Sequence, residues 1–237
     1  MALQARTPFV IVGDAPGQVT GLARIAGDLA AHLTRVQEDL GIDLAVVGHA
    51  PWLDLPQTGV EQRNAFPWRQ WVFGDLQDWG ARALSTAYRS WFGDTPGIVF
   101  TIWDPSRCFT LSAASLPVEW WGYFPIDAEN VNGGLSGPAA AALANYRRVL
   151  AYTTFGAKIL DTARPDLLIE VLPHGIDTRN WHPGLTPEEY TEAVRTLGTD
   201  RRVIGCVATN QPRKDLGMSC QGLRLLLAGG HKVHGWR

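Results

Sequence analysis

Apolar residues follow two rhythms along this chain, and the switches between them predict its elements. Residues 9–12 are a continuous apolar run, Phe-Val-Ile-Val, closed by Gly13-Asp14. A run without polar interruption suits a strand buried on both faces of a parallel sheet. Leu22, Ile25, Ala26, Leu29, Ala30 and Leu33 then recur at helical spacing, which puts them on one helix face. A second strand is predicted over 43–47, ending in Gly48-His49. Strand, helix and strand in that order form the unit of a doubly wound sheet.

The rhythm is lost over 50–70, where prolines and polar residues mark a long excursion holding a short strand pair. Further strands are predicted at 70–74, 97–103, 120–126, 149–153 and 167–172, and helices at 79–91 and 156–163. Residues 127–137 read as a loop rich in Asn and Gly. Pro138 sits at the first turn of an alanine-rich helix running to residue 147. Later, Thr186, Pro187 and Glu189 supply an N-cap, a first-turn proline and a capping-box carboxylate, and Gly198 ends that helix. A strand at 203–208, a helix at 216–227 and a strand beginning at 231–235 close the pattern.

Polar residues gather where these strands end, and in open α/β sheets ligands bind outside the carboxyl ends of the strands. The loop from Gly13 to Gly21 leads into a helix N-terminus, which carries partial positive charge. Its glycine spacing fits neither the dinucleotide fingerprint nor a phosphate-binding loop with a following lysine. A tight turn and a ligand-facing loop both remain open there. Asp104 and Asp127 each follow a strand; a carboxylate so placed accepts hydrogen bonds from sugar hydroxyls or caps its own loop. Pro173-His174-Gly175-Ile176-Asp177 follows the strand at 167–172, and Asn210-Gln211-Pro212-Arg213-Lys214-Asp215 follows the one at 203–208. Arg213 and Lys214 are adjacent cations, which suit a phosphate or a solvated patch.

Composition narrows the field. With 46% hydrophobic and 19% charged residues the chain reads as globular. A net charge of -2 argues against a nucleic-acid or membrane-surface binder. Three widely spaced cysteines give neither a disulfide framework nor zinc-ligand spacing, which points to a reducing, cytoplasmic setting. No apolar segment approaches a membrane span, and residues 9–12 are too short for a signal-peptide core. Most of the ten tryptophans fall between Trp52 and Trp121, as core side chains or as flat rings in a sugar-binding cleft.

The two motifs ending at Asp177 and Asp215 together resemble the glycosyltransferases of the GT-B fold, especially family 4 and its relatives. There a Pro-(His/Asn)-Gly-(Val/Ile)-Asp motif closes the N-terminal domain, and an Asn-Gln-x-Arg-Lys type motif opens the C-terminal one. The resemblance implies an α/β protein with a Rossmann-like doubly wound parallel sheet over 1–177 and a linker with a helix over 178–200. Residues 201–237 would be the first β-α-β piece of a second Rossmann-like domain, truncated before its remaining strands. It implies sugar transfer from a nucleotide diphosphate sugar to a glycan or other hydroxyl acceptor, with retention and without a metal or other cofactor.

By the same resemblance, Asn210, Arg213 and Lys214 hold the donor diphosphate, while Gly17, Gln18, Thr20 and Gly175 line the cleft. Asp104 and His174 stand in catalytic positions, and Asp127 on the acceptor side. The chain departs from the family twice: Trp103 replaces a histidine before Asp104, and Thr209 replaces an arginine. Thr209, with the family's donor-binding glutamates missing from the chain, favours a rival, a non-catalytic glycan- or protein-binding module derived from a GT-B half. A nicotinamide-dependent oxidoreductase is disfavoured by the absence of G-x-G-x-x-G after the first strand.

Overall fold

A computed structural model describes residues 6–74, 77–131, 133–179, 184–198 and 215–229, the side chains of 112 and 113 excepted. The chain divides into two compact units, Met1–Gly175 and Ile176–Arg237. In the first, β1 (Thr7–Asp14), α1 (Gly21–Val36) and β2 (Ile42–His49) open the chain. The excursion follows, with β3 (Val60–Glu61) and β4 (Arg69–Phe73), then α2 (Ala81–Phe92) and β5 (Gly97–Ile102). After β6 (Val118–Phe124) come α3 (Gly137–Ala142), β7 (Tyr146–Ala151), α4 (Thr154–Ala163) and β8 (Ile169–Val171).

The strands form one sheet in the order β3-β4-β2-β1-β5-β6-β7-β8. Every pairing is parallel except that of β3 with β4, the short pair expected in the excursion. Successive residues of a strand face opposite sides. Val10, Val12 and Val99 accordingly pack with Ala83, Leu84 and Ala87 of α2. Ile11, Val46 and Phe100 pack with Ala26 and Ala30 of α1. Helices on both faces explain why these strands read as unbroken apolar runs. Val10, Ile11 and Val12 are completely buried, and each such side chain contributes roughly 1.5–3 kcal/mol.

One helix is shorter than its composition suggests. The alanine-rich segment after Ser136 leaves the α-helix at Ala142, passes through a 3-10 turn at Leu143–Asn145 and becomes β7 at Tyr146. The strand expected at 149–153 therefore begins three residues early. Tyr146 is 3% exposed; its ring packs on Trp120 and Phe124, and its hydroxyl meets that of Thr101. Burying that ring outweighs the few tenths of a kcal/mol per residue that helix propensity supplies. Two 3-10 turns after β5, Pro105–Cys108 and Leu111–Ala114, have no sequence signature.

In the second unit lie α5 (Pro187–Leu197) and α6 (Leu216–Ala228). The capping box of α5 closes as the sequence predicts. Thr186 Oγ1 accepts from Glu189 N at 3.2 Å, and Glu189 Oε2 accepts from Thr186 N at 2.7 Å. The strands expected at 203–208 and 231–235 lie outside the described residues. Among the described residues no helix is long and apolar enough to cross a membrane.

Candidate functional site

Strand order reverses between β1 and β5. From β1 the sheet grows through β2 to β4, and from β5 it grows the other way through β6, β7 and β8. Loops leaving two such neighbours part to opposite faces and open a crevice at their carboxyl ends. Asp14 ends β1 at this point and is almost buried, with 9% of its surface exposed. Its Oδ1 accepts from Trp103 Nε1 at 2.8 Å, and its Oδ2 accepts from the Thr20 hydroxyl at 2.7 Å. One carboxylate thus ties the end of β1, the start of α1 and the end of β5.

Two further groups face that carboxylate. His49 ends β2 with Nδ1 4.0 Å from Asp14 Oδ1, its ring among Phe73, Trp79 and Trp103. Burial lowers the His49 pKa; the Asp14 charge opposes this and Arg107 adds to it. The ring is therefore neutral at pH 7. Arg107, on the first 3-10 turn, has Nε 3.5 Å from Asp104 Oδ2 and Nη1 4.0 Å from Asp14 Oδ1. Its guanidinium lies 5.1 Å from the Trp79 ring and 5.9 Å from that of Trp103. A flat cation on aromatic faces between two carboxylates has little freedom.

Asp104 follows β5 and Asp127 follows β6, and both line one groove of about 330 Å³ with Ser106, Asn130 and Ser136. Burial raises the Asp104 pKa, Arg107 offsets part of the rise, and the charges of Asp127 and Asp14 add to it. The groove presents carboxylate, hydroxyl and amide groups, a set that hydrogen-bonds a polyhydroxylated ligand. Among the described residues no cluster of His, Cys, Asp or Glu is arranged to hold a metal ion.

The glycine loop between β1 and α1 is tightly built. Gly17 has φ 93°, left-handed backbone that favours glycine. A side chain on Gly48 would collide with Ala15, so the loop rests directly on the end of β2. Gln18 N closes a turn on Ala15 O at 3.1 Å. The Thr20 hydroxyl is engaged on both sides, donating to Asp14 and accepting from Ala23 N at 3.0 Å as the α1 N-cap. Gly17 is exposed and Gln18 partly so.

His174 stands beyond β8, within the first unit. Its Nδ1 is 3.0 Å from the Tyr123 hydroxyl, and its ring meets that of Tyr152 at 3.8 Å between centroids. Burial against these rings lowers its pKa. Burial raises the Tyr152 pKa as well, and the charges of Tyr123 and Asp104 add to the rise. Among the described residues beyond its chain neighbours, none would touch a side-chain carbon added to Gly175. Asp177 accepts from the Arg179 backbone and guanidinium at 3.0 Å, as a turn-capping aspartate does. Asn210, Arg213 and Lys214 lie outside the described residues.

The structure thus brings Asp104, Asp127 and His174 to one edge of the sheet and adds Asp14, His49 and Arg107, which the sequence reading did not single out. Asp14 and His49 carried a usable signal, each being the polar residue that ends an apolar run. Arg107 carried none.

No protein-family model matches the sequence, and no curated protein sequence matches it. Solved structures of similar fold include the following two. The catalytic domain of starch synthase IV from Arabidopsis thaliana, bound to ADP and acarbose, gives a TM-score of 0.55 at 15% identity. That match covers 98% of this chain and 69% of the other. Trehalose-6-phosphate synthase from E. coli, bound with UDP-2-fluoro glucose, gives 0.52 at 11% identity, over 83% of this chain and 56% of that one. This chain therefore spans only part of either protein, and over that part its α/β architecture is that of the GT-B glycosyltransferases.

Proposed function

We propose that this protein transfers a sugar from a nucleoside diphosphate sugar to a hydroxyl acceptor. One observation carries the reading. Asp104 and Asp127 share a single groove at the carboxyl edge of a GT-B type sheet, close to the reversal of strand order. Both structural neighbours were solved with nucleotide ligands, ADP in one and UDP-2-fluoro glucose in the other. In this reading the acceptor lies in the groove with Asp127 on its hydroxyls, and the glycine loop with Gly17, Gln18 and Thr20 faces the donor. His174 and Gly175 border the donor sugar.

The acceptor oxygen forms a bond to the anomeric carbon as the bond from that carbon to the diphosphate breaks. The nucleoside diphosphate leaves with the electron pair, and Asp104 takes the hydroxyl proton. Attack from the face that the diphosphate leaves retains the anomeric configuration. Asn210, Arg213 and Lys214 neutralise the departing diphosphate in place of a metal ion, as a preorganised electrostatic clamp.

Calorimetric titration of the protein with a panel of nucleoside diphosphates tests the donor side. The panel is expected to contain a binder. Replacing Arg213 and Lys214 together with Met is expected to weaken it at least tenfold, since one charge-assisted hydrogen bond is worth roughly 1.5–3 kcal/mol. Absence of any binder, or equal affinity in the double variant, would contradict the assignment.

A further inference from the structure

Tyr123 has one phenol proton and two neighbours that could use it. Its oxygen lies 2.7 Å from the Leu172 carbonyl oxygen and 3.0 Å from His174 Nδ1. A carbonyl oxygen only accepts, whereas a neutral imidazole nitrogen either donates or accepts. Were the phenol proton given to His174, two oxygens would face each other at 2.7 Å with no proton between them. The proton therefore goes to Leu172, and the second contact is a hydrogen bond only with Nδ1 as donor.

The frame around this pair is fixed. Leu172 is held by its own N–H, which donates to Ala151 O at 2.9 Å and prolongs the pairing of β8 with β7. Tyr123 is buried on β6, its ring 6.1 Å from Phe100 and 4.1 Å from Tyr152. The imidazole stands edge-on to both tyrosines, at 78° to Tyr123 and 66° to Tyr152. His174 itself is exposed, and none of the described residues hydrogen-bonds its Nε2.

We infer that Tyr123 is a positioning residue that holds His174 as its Nδ1–H tautomer, leaving Nε2 as an unprotonated acceptor at the carboxyl edge of the sheet. The free neutral imidazole ordinarily prefers the other tautomer, so the partner of one nitrogen sets the chemistry of the other. His174 then takes a hydrogen bond from a ligand hydroxyl and offers no N–H from Nε2 to a phosphate oxygen. The identity of that ligand as a sugar rests on the proposed transfer reaction; the tautomer does not.

Long-range proton–nitrogen correlation spectra of the ¹⁵N-labelled, ligand-free protein above pH 7 test the inference, with His174 assigned from its absence in His174→Gln. The expected wild-type spectrum shows a protonated Nδ1 and an unprotonated Nε2. Tyr123→Phe keeps the ring and removes the hydroxyl, and is expected to move the proton to Nε2. A wild-type Nε2–H signal overturns the inference, as does an unchanged Nδ1–H signal in Tyr123→Phe. Should that variant not fold, the wild-type spectrum still decides. These spectra involve no turnover, so their failure is distinguishable from failure of the transfer reaction.

Discussion

Replacing Asp104 with Asn is expected to lower kcat/KM for sugar transfer about 100-fold, near the lower end of what a general base contributes. The variant keeps the shape of the side chain at the end of β5 and removes its capacity to take a proton, together with the charge that faces Arg107. Because burial raises the pKa of this carboxyl group, the acid limb of the wild-type profile should lie above that of an ordinary aspartate. Arg107 favours the ionised form, so Arg107→Met should raise that pKa further and move the limb to higher pH. Arg107→Lys should restore part of the difference. A wild-type rate for Asp104→Asn, or a limb that moves to lower pH in Arg107→Met, would remove Asp104 from the reaction.

Asp14→Leu is expected to destabilise the first unit by about 3 kcal/mol, the upper end of the cost of an unmade buried hydrogen bond. Trp103 is completely buried, and its indole N–H has Asp14 Oδ1 as acceptor at 2.8 Å. A leucine leaves that donor unpaired, frees the Thr20 hydroxyl and takes away one of the two carboxylates facing Arg107. At this size each kcal/mol moves the melting temperature by roughly 2–4 °C, so a fall of roughly 6–12 °C is expected. Asp14→Asn keeps an oxygen for Trp103 and should cost about 1 kcal/mol, the difference between a charged and a neutral acceptor. Thermal melts at fixed pH measure both. Equal melting of Asp14→Leu and wild type would mean that the hub does not hold the edge together.

The central strands were legible because covering both faces of a parallel sheet leaves an unmistakable mark. Val10, Ile11 and Val12 had to be apolar in succession, and α1 carried its stripe from Leu22 to Leu33. The short α3 was not legible. Alanine spacing says helix, and only the distant ring packing of Tyr146 on Trp120 and Phe124 says strand. At the site, residues closing recognisable runs or motifs stood out, such as Asp104, Asp127 and His174. What they touch did not, since Asp14 meets Trp103 across 89 positions of sequence and Tyr123 meets His174 across 51. Such pairs follow from strand order, which the periodicity of one strand does not encode.

Sugar transfer is tested most directly by incubating the protein with a panel of nucleoside diphosphate sugars and polyhydroxylated acceptors. Free nucleoside diphosphate and glycosylated acceptor are then quantified in the same reactions. The expected result is the appearance of both in equal amounts with one donor, with the configuration at the anomeric carbon retained. Glycan binding by the protein with neither product formed under any combination would contradict the enzyme and leave a binding module.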